Sequence, residues 1–184
     1  MSDQTIIEQC APTLAGIKTG SLFSVEFSDE KTAVHEIREL NNKIGRKGLR
    51  AIPVGMQKKR TLIYLYRPMD LYRDFENPEV LAILKDRGYP CESVAGCIVQ
   101  LVKRLAQEKD FPHEIGLFLG YPPCDVRGFI NSPKDGVKIV GYWKVYGDQN
   151  RAMQLFEKYK KCTLTFHENH RLGASLSQLA VSSL

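Results

Sequence analysis

The chain has 184 residues, 43% of them hydrophobic, and a formal net charge of +5 from 26 basic and 21 acidic residues, which suits one folded core and is short for two. No run approaches the roughly eighteen consecutive apolar residues of a membrane span, and MSDQTIIEQC lacks the basic flank and apolar run of a signal peptide, so a cytoplasmic protein without a membrane partner is expected. Five cysteines, at positions 10, 91, 97, 124 and 162, follow neither a disulfide framework nor a CxxC pattern, which predicts reduced thiols.

Residues 3–18 read as two short helical pieces, because Pro12 disfavours continuing a helix through Cys10 and Ala11. SLFSVEF, residues 21–27, reads as a strand. Ser28 and Asp29 then offer an N-cap to a helix with Val34, Ile37, Leu40, Asn41 and Ile44 on one face, stopped by Gly45 and Gly48. Residues 49–54 and 61–66 are strand candidates joined by a connection too short for a helical crossover, and Pro53 makes the first an edge or ends it. Basic residues thicken at Arg46, Lys47 and Arg50 and again at Lys58, Lys59 and Arg60. No aromatic is interleaved with them, so they read as a solvated surface and not as a nucleic-acid patch.

Pro68 starts a helix, Asn77 and Pro78 cap a second that runs to Gly88, and residues 92–108 carry a helical stripe of Val94, Ile98, Leu101, Val102 and Leu105. Cys91 and Cys97 flank or join that helix and read as structural thiols. EIGLFLG, residues 114–120, is apolar on both faces and reads as an interior strand. Pro122 and Pro123 set up a helix with Val126, Phe129 and Ile130. Residues 138–146 read as a second strand, with Trp143 on one face and Tyr142, Lys144 and Tyr146 on the other. Asp148 caps a last long helix. Residues 169–184 read as a tail, either mobile or a short docked helix, after a domain spanning 1–168.

These elements predict a single-domain α/β protein with a mixed central sheet of about five strands and helices on both faces. If the Pro-started helix is a right-handed crossover, strands 114–120 and 138–146 are parallel and their C-terminal ends share an edge. Open α/β sheets bind ligands at such edges, where helix N-termini attract anions. No GxGxxG and no Walker-type GxxxxGK[ST] is present, which disfavours a standard nucleotide site.

The runs PHEIGLFLGYPPCDVRGFI and GYWKVYGD, with the early CAPTLAGIKTGSLF, resemble the domain-of-unknown-function family 3793 of anaerobic Firmicutes over nearly the whole chain. The family carries no established activity, so the resemblance assigns no reaction; it implies a reduced cytosol and a weak association with iron. It also singles out Lys18, His113, Glu114, Gly120, Tyr121, Pro122, Asp125, Trp143, Lys144, Tyr146 and Gly147, with Cys10 and Cys162 at Cys-like positions. Cys124 departs from the family pattern.

Each candidate site has a plain reading beside the functional one. Cys124 lies in the first turn of a helix, where backbone N–H groups and the dipole would stabilise a thiolate. An extended strand would hold it about 20 Å from His113 and so exclude a Cys–His dyad. Cys162, His167 and His170, joined by Cys10, supply soft ligands for zinc or iron at a non-standard spacing. Lys144 between Tyr142 and Tyr146 offers two aromatics and a cation to a planar anion, or is a lysine snorkelling across a sheet face. The first expectation is therefore a small anionic ligand bound near residues 120–125 and 144–148 by Lys18, Tyr121, Asp125, Tyr142, Lys144 and Tyr146. The alternatives are an iron- or haem-handling protein using Cys10, His113 and Cys162, and an interaction module with a protein partner and no catalysis.

Overall fold

A computed structural model describes residues 1–57, 60–107 and 111–182. Lys58 and Lys59 of the second basic cluster, and the end of the helix expected over 92–108, lie outside the described residues. The chain divides into two compact units, residues 1–70 with 161–184, and residues 71–160.

The first unit is built on helix α1 (Asp3–Leu14), strand β1 (Gly20–Glu26), helix α2 (Glu30–Ile44), and strands β2 (Arg50–Gln57) and β3 (Arg60–Tyr66). The strands form an antiparallel sheet in the order β1-β3-β2. Pro53 lies on the edge strand, as a residue without an N–H must, and the register shifts between Pro53 and Gly55. The edge is partly covered: the Asn41 side chain of α2 accepts from Ala51 N and donates to Ala51 O, each at 2.8 Å. Helix α1 continues through Pro12, contrary to the expected break. Pro12 sits in the last turn, where only one helical hydrogen bond is forgone, and the chain leaves the helix at Gly16 with φ 72°. The bonds Gly16 N to Thr13 O and Ile17 N to Pro12 O close it as a Schellman turn.

The core of this unit joins Ile6, Ile7, Cys10 and Leu14 of α1 to Ala33, Ile37, Leu40 and Ile44 of α2. Phe23, Ile63 and Leu65 from the sheet complete it, with Phe166, Leu176 and Ala180 from the C-terminal part of the chain. Arg67 is 1% exposed and donates to the carbonyls of Thr13, Leu14 and Val181 at 2.7, 2.6 and 2.7 Å, so its guanidinium is solvated by backbone in place of water.

The second unit is mostly helical: α3 (Pro68–Phe75, entering from the first unit), α4 (Pro78–Asp86), α5 (Val94–Gln107), the single turn α6 (Ile115–Phe118) and α7 (Pro123–Asn131). A small hairpin, β4 (Ile139–Val140) and β5 (Lys144–Val145), and the start of α8 (Gln149–Arg171) complete it; α8 ends in the first unit, followed by α9 (Leu176–Leu179). A buried ion pair lies within the second unit: Glu114, 1% exposed, accepts from Tyr89 Oη and from Arg104, each at 2.8 Å.

The sheet differs from expectation. The described residues hold a three-stranded and a two-stranded sheet, not a mixed central sheet of about five strands, although the fold does mix helix and strand. Residues 114–120 form a helical turn, because an apolar run satisfies a buried helix as well as a buried strand. Gly120 at φ 77° ends it, with Tyr121 N bonded to Gly116 O at 2.9 Å and Gly120 N to Leu117 O at 3.2 Å. A Cβ on Gly116 would stand 2.8 Å from Val126 Cγ2, so the missing side chain lets α6 pack on α7. Residues 138–146 fold back on themselves at Gly141–Trp143. There, a Cβ on Gly141 would lie 2.2 Å from the Phe156 ring. With both strands gone, there is no parallel crossover and no shared sheet edge.

No helix among the described residues is long and apolar enough to cross a membrane.

Candidate functional site

Residues 120–125 and 143–148 nevertheless meet, and Asp125 is what brings them together. It lies in the first turn of α7, whose start is set by Pro122 and Pro123. Its carboxylate is 3% exposed and accepts three N–H groups: Trp143 Nε1 at 2.7 Å, Tyr146 N at 2.8 Å and Gly147 N at 2.7 Å. One side chain thus fixes the hairpin and the approach to α8. The fit depends on glycine, since a Cβ on Gly128 would lie 2.4 Å from Tyr146 Cγ.

Above this network is a cleft of about 410 Å³ within the second unit. Tyr121 and Trp143 stack on its wall with ring centroids 4.7 Å apart and planes inclined by 28°, and the Tyr121 hydroxyl donates to Tyr142 O at 3.3 Å. Burial pushes the Tyr121 phenol up to about 12. Arg73, Asp74, Cys124, Asp148 and Arg151 also line the cleft. Asp148 is occupied as the cap of α8, accepting from Arg151 N at 3.0 Å. Among the described residues the Arg151 guanidinium has no hydrogen bond or ion pair, and it is exposed.

Cys124 is an exposed first-turn cysteine, and the helix start does not lower its thiol pKa. Its sulfur is lodged where a Cβ on Gly147 would come within 2.7 Å. Partial desolvation of the sulfur raises the thiol pKa, the neighbouring Asp125 charge raises it further, and backbone N–H groups offset only part. His113 faces other partners: its ring meets Phe129 edge-on at 4.8 Å. The strand that was to separate it from Cys124 is absent, but no dyad forms.

The other predicted residues are dispersed. Lys144 lies over the Phe129 ring at 5.2 Å and donates to Pro133 O at 2.9 Å. Tyr146 packs on α7 and donates to Ser132 O at 2.9 Å, whereas Tyr142 turns toward Phe156 and Tyr159 on α8. Tyr142, Lys144 and Tyr146 therefore do not flank a common ligand surface, because the expected alternation stops at the hairpin turn, and none of them lines the cleft. Lys18 belongs to the first unit. There burial lowers its amine to about 8 and Cys10, itself raised to about 12 by burial, lies nearby.

The expected metal set also fails. Cys10 and Cys162 belong to the first unit and His113 to the second. Among the described residues, no group of three or more His, Cys, Asp or Glu side chains could hold a metal ion. His167 and His170 lie on α8 and not at the entrance to a tail, and His170 Nδ1 is 2.9 Å from Ala174 O.

Arg73 and Arg151 were not singled out by sequence. The one signal for Arg151 was its place three residues after the Asp148 cap, on the first turn of a helix that begins beside GYWKVYGD.

The model of a family described as "Protein of unknown function (DUF3793)" matches residues 6–180. The chain belongs to this family. The match takes in every residue of the Asp125 network and of the cleft. No curated protein and no solved structure matches the chain.

Proposed function

We propose that the second unit binds a small anionic ligand with a planar group in the cleft above Asp125. The observation that carries this reading is the joining of an aromatic wall, Tyr121 on Trp143, to the unengaged guanidinium of Arg151 in one cavity of about 410 Å³. A planar group has a ring face to lie against, and a carboxylate or phosphate has a planar cation able to accept it bidentately. The starts of α7 and α8 add favourable partial charge at the same wall. The two aspartates nearest these elements do not cancel the attraction in full, since Asp125 is committed to three N–H donors and Asp148 to a helix cap. Asp74, on the same wall, disfavours ligands of high negative charge, so monoanions are preferred.

The chain contains one tryptophan, and it is in the site. Titration of planar carboxylates and phosphomonoesters against Trp143 fluorescence, alongside thermal shift, is the test. The expected result is a saturable change with at least one compound, and an affinity at least about tenfold weaker in Arg151→Ala, equivalent to about 1.4 kcal/mol. No response from any compound, or a response indifferent to Arg151→Ala, would sink the reading.

A further inference from the structure

A second place in the same unit carries chemistry unrelated to the cleft. Cys91 lies in the turn between α4 and α5, and Cys97 lies in the first turn of α5. Both line a groove of about 250 Å³ walled by Tyr72, Phe75, Leu81 and Val94. The Cys97 thiol donates to the carbonyl of Pro90 at 3.4 Å, and Pro90 is bonded directly to Cys91, so the turn brings the two sulfurs into one neighbourhood. Burial raises the Cys97 thiol pKa, and Cys91 is near enough to raise it further. The turn is held on the helix by Gly96 N to Ser93 Oγ at 3.0 Å and Cys97 N to Ser93 O at 3.1 Å. Close approach depends on Gly96, where a Cβ would lie 3.0 Å from Ser93 Oγ and 3.3 Å from Pro90 Cγ. The pair is asymmetric: Cys91 is half-buried, while Cys97 is 1% exposed. No third metal-ligating side chain joins them among the described residues, which favours thiol exchange over metal capture.

We propose that Cys91 and Cys97 are a redox dithiol that a low-molecular-weight disulfide converts to an intramolecular disulfide. The accessible Cys91 thiolate attacks one sulfur of the reagent, forming a mixed disulfide and expelling one thiolate. Cys97 attacks the Cys91 sulfur as its proton passes to the departing sulfur, which leaves as the second thiol. Two protein thiols are oxidised, the reagent disulfide is reduced to two thiols, and the two protons end on those products. Exposure sets the order, because the reagent reaches Cys91 from the groove while only Cys91 reaches Cys97. The ring closes over six residue steps in a turn already folded back on itself, so little rearrangement is needed to reach a disulfide Cα separation of roughly 4.4–6.8 Å.

The test uses the full chain carrying Cys124→Ser and Cys162→Ser, which removes the exposed thiol and the other half-buried one. After treatment with glutathione disulfide, remaining thiols are blocked with N-ethylmaleimide and the products are mapped by mass spectrometry. The expected product retains no glutathione, has two fewer blocked thiols and yields a peptide linking Cys91 to Cys97. Adding Cys97→Ser is expected to trap one glutathione on Cys91, and adding Cys91→Ser to leave Cys97 unmodified. A stable glutathione adduct on Cys91 with Cys97 present would overturn the proposal, as would a Cys91 that does not react or a link to a different cysteine.

Discussion

Asp125 holds three N–H donors that would otherwise be buried without an acceptor, and its replacement tests whether the site depends on it. In Asp125→Asn the amide oxygen can still accept from the backbone N–H groups of Tyr146 and Gly147, which share one carboxylate oxygen, but its –NH₂ then opposes the Trp143 N–H; flipped, it opposes both backbone groups. A loss of about 1–3 kcal/mol in urea unfolding is expected, with a shift in Trp143 emission as the indole loses its partner. Glu114 sets a steeper case: Glu114→Ala leaves Arg104 partly buried and Tyr89 without its acceptor, at an expected cost of about 3 kcal/mol or more. Alkaline pH offers a further check. An unfolded tyrosine ionises near pH 10, whereas burial holds Tyr121 and Tyr159 at about 12. Over that interval the folded chain keeps protons the unfolded chain has released, so their contribution is complete below pH 10 and is lost as pH rises through 12. The urea midpoint should therefore fall between pH 9 and 11 in wild type and fall less in Tyr121→Phe.

Among the elements, those announced by local chemistry were legible in the sequence. Asp29 caps α2, Asn77 and Pro78 open α4, Pro122 and Pro123 open α7, and Asp148 caps α8. The three strands of the first unit also stand close to where β-branched and aromatic runs put them. What could not be read was the meaning of glycine inside an apolar run. Gly116 and Gly141 looked like members of strands, yet each marks a place where a neighbouring side chain, Val126 or Phe156, fills the space a Cβ would take, a tertiary fact with no local trace. The site followed the same division. The sequence joined residues 120–125 to 144–148 through a parallel crossover that the described residues lack; the Asp125 hydrogen bonds bring them together instead, and Lys144 was misplaced once the second strand became a hairpin. The hairpin reading is open to test: Gly141→Ala drives a methyl into Phe156 and is expected to cost about 1–3 kcal/mol. Adding Phe156→Leu should recover part of the loss. An unchanged melting temperature in Gly141→Ala would show that the hairpin does not approach α8 as described.

At the scale of the molecule, one unit is continuous in sequence and the other is assembled from both ends of the chain. Arg67 and Leu14 both bond to Val181, and Leu176 and Ala180 enter the core with α1 and α2. Deleting residues 174–184 is therefore expected to cost the first unit about 2 kcal/mol or more. The loss should be read as faster hydrogen exchange in β1, β2 and β3, with Trp143 emission in the second unit little changed. The same layout sets an order on synthesis. Residues 71–160 leave the ribosome as a complete set, while the sheet and α1 must wait for the final helix before their core can close. At roughly 5–20 residues per second, α1 and α2 spend several seconds without α9 packed on them. During that wait Ile63 and Leu65 of the central strand lack Phe166, Leu176 and Ala180 from their core.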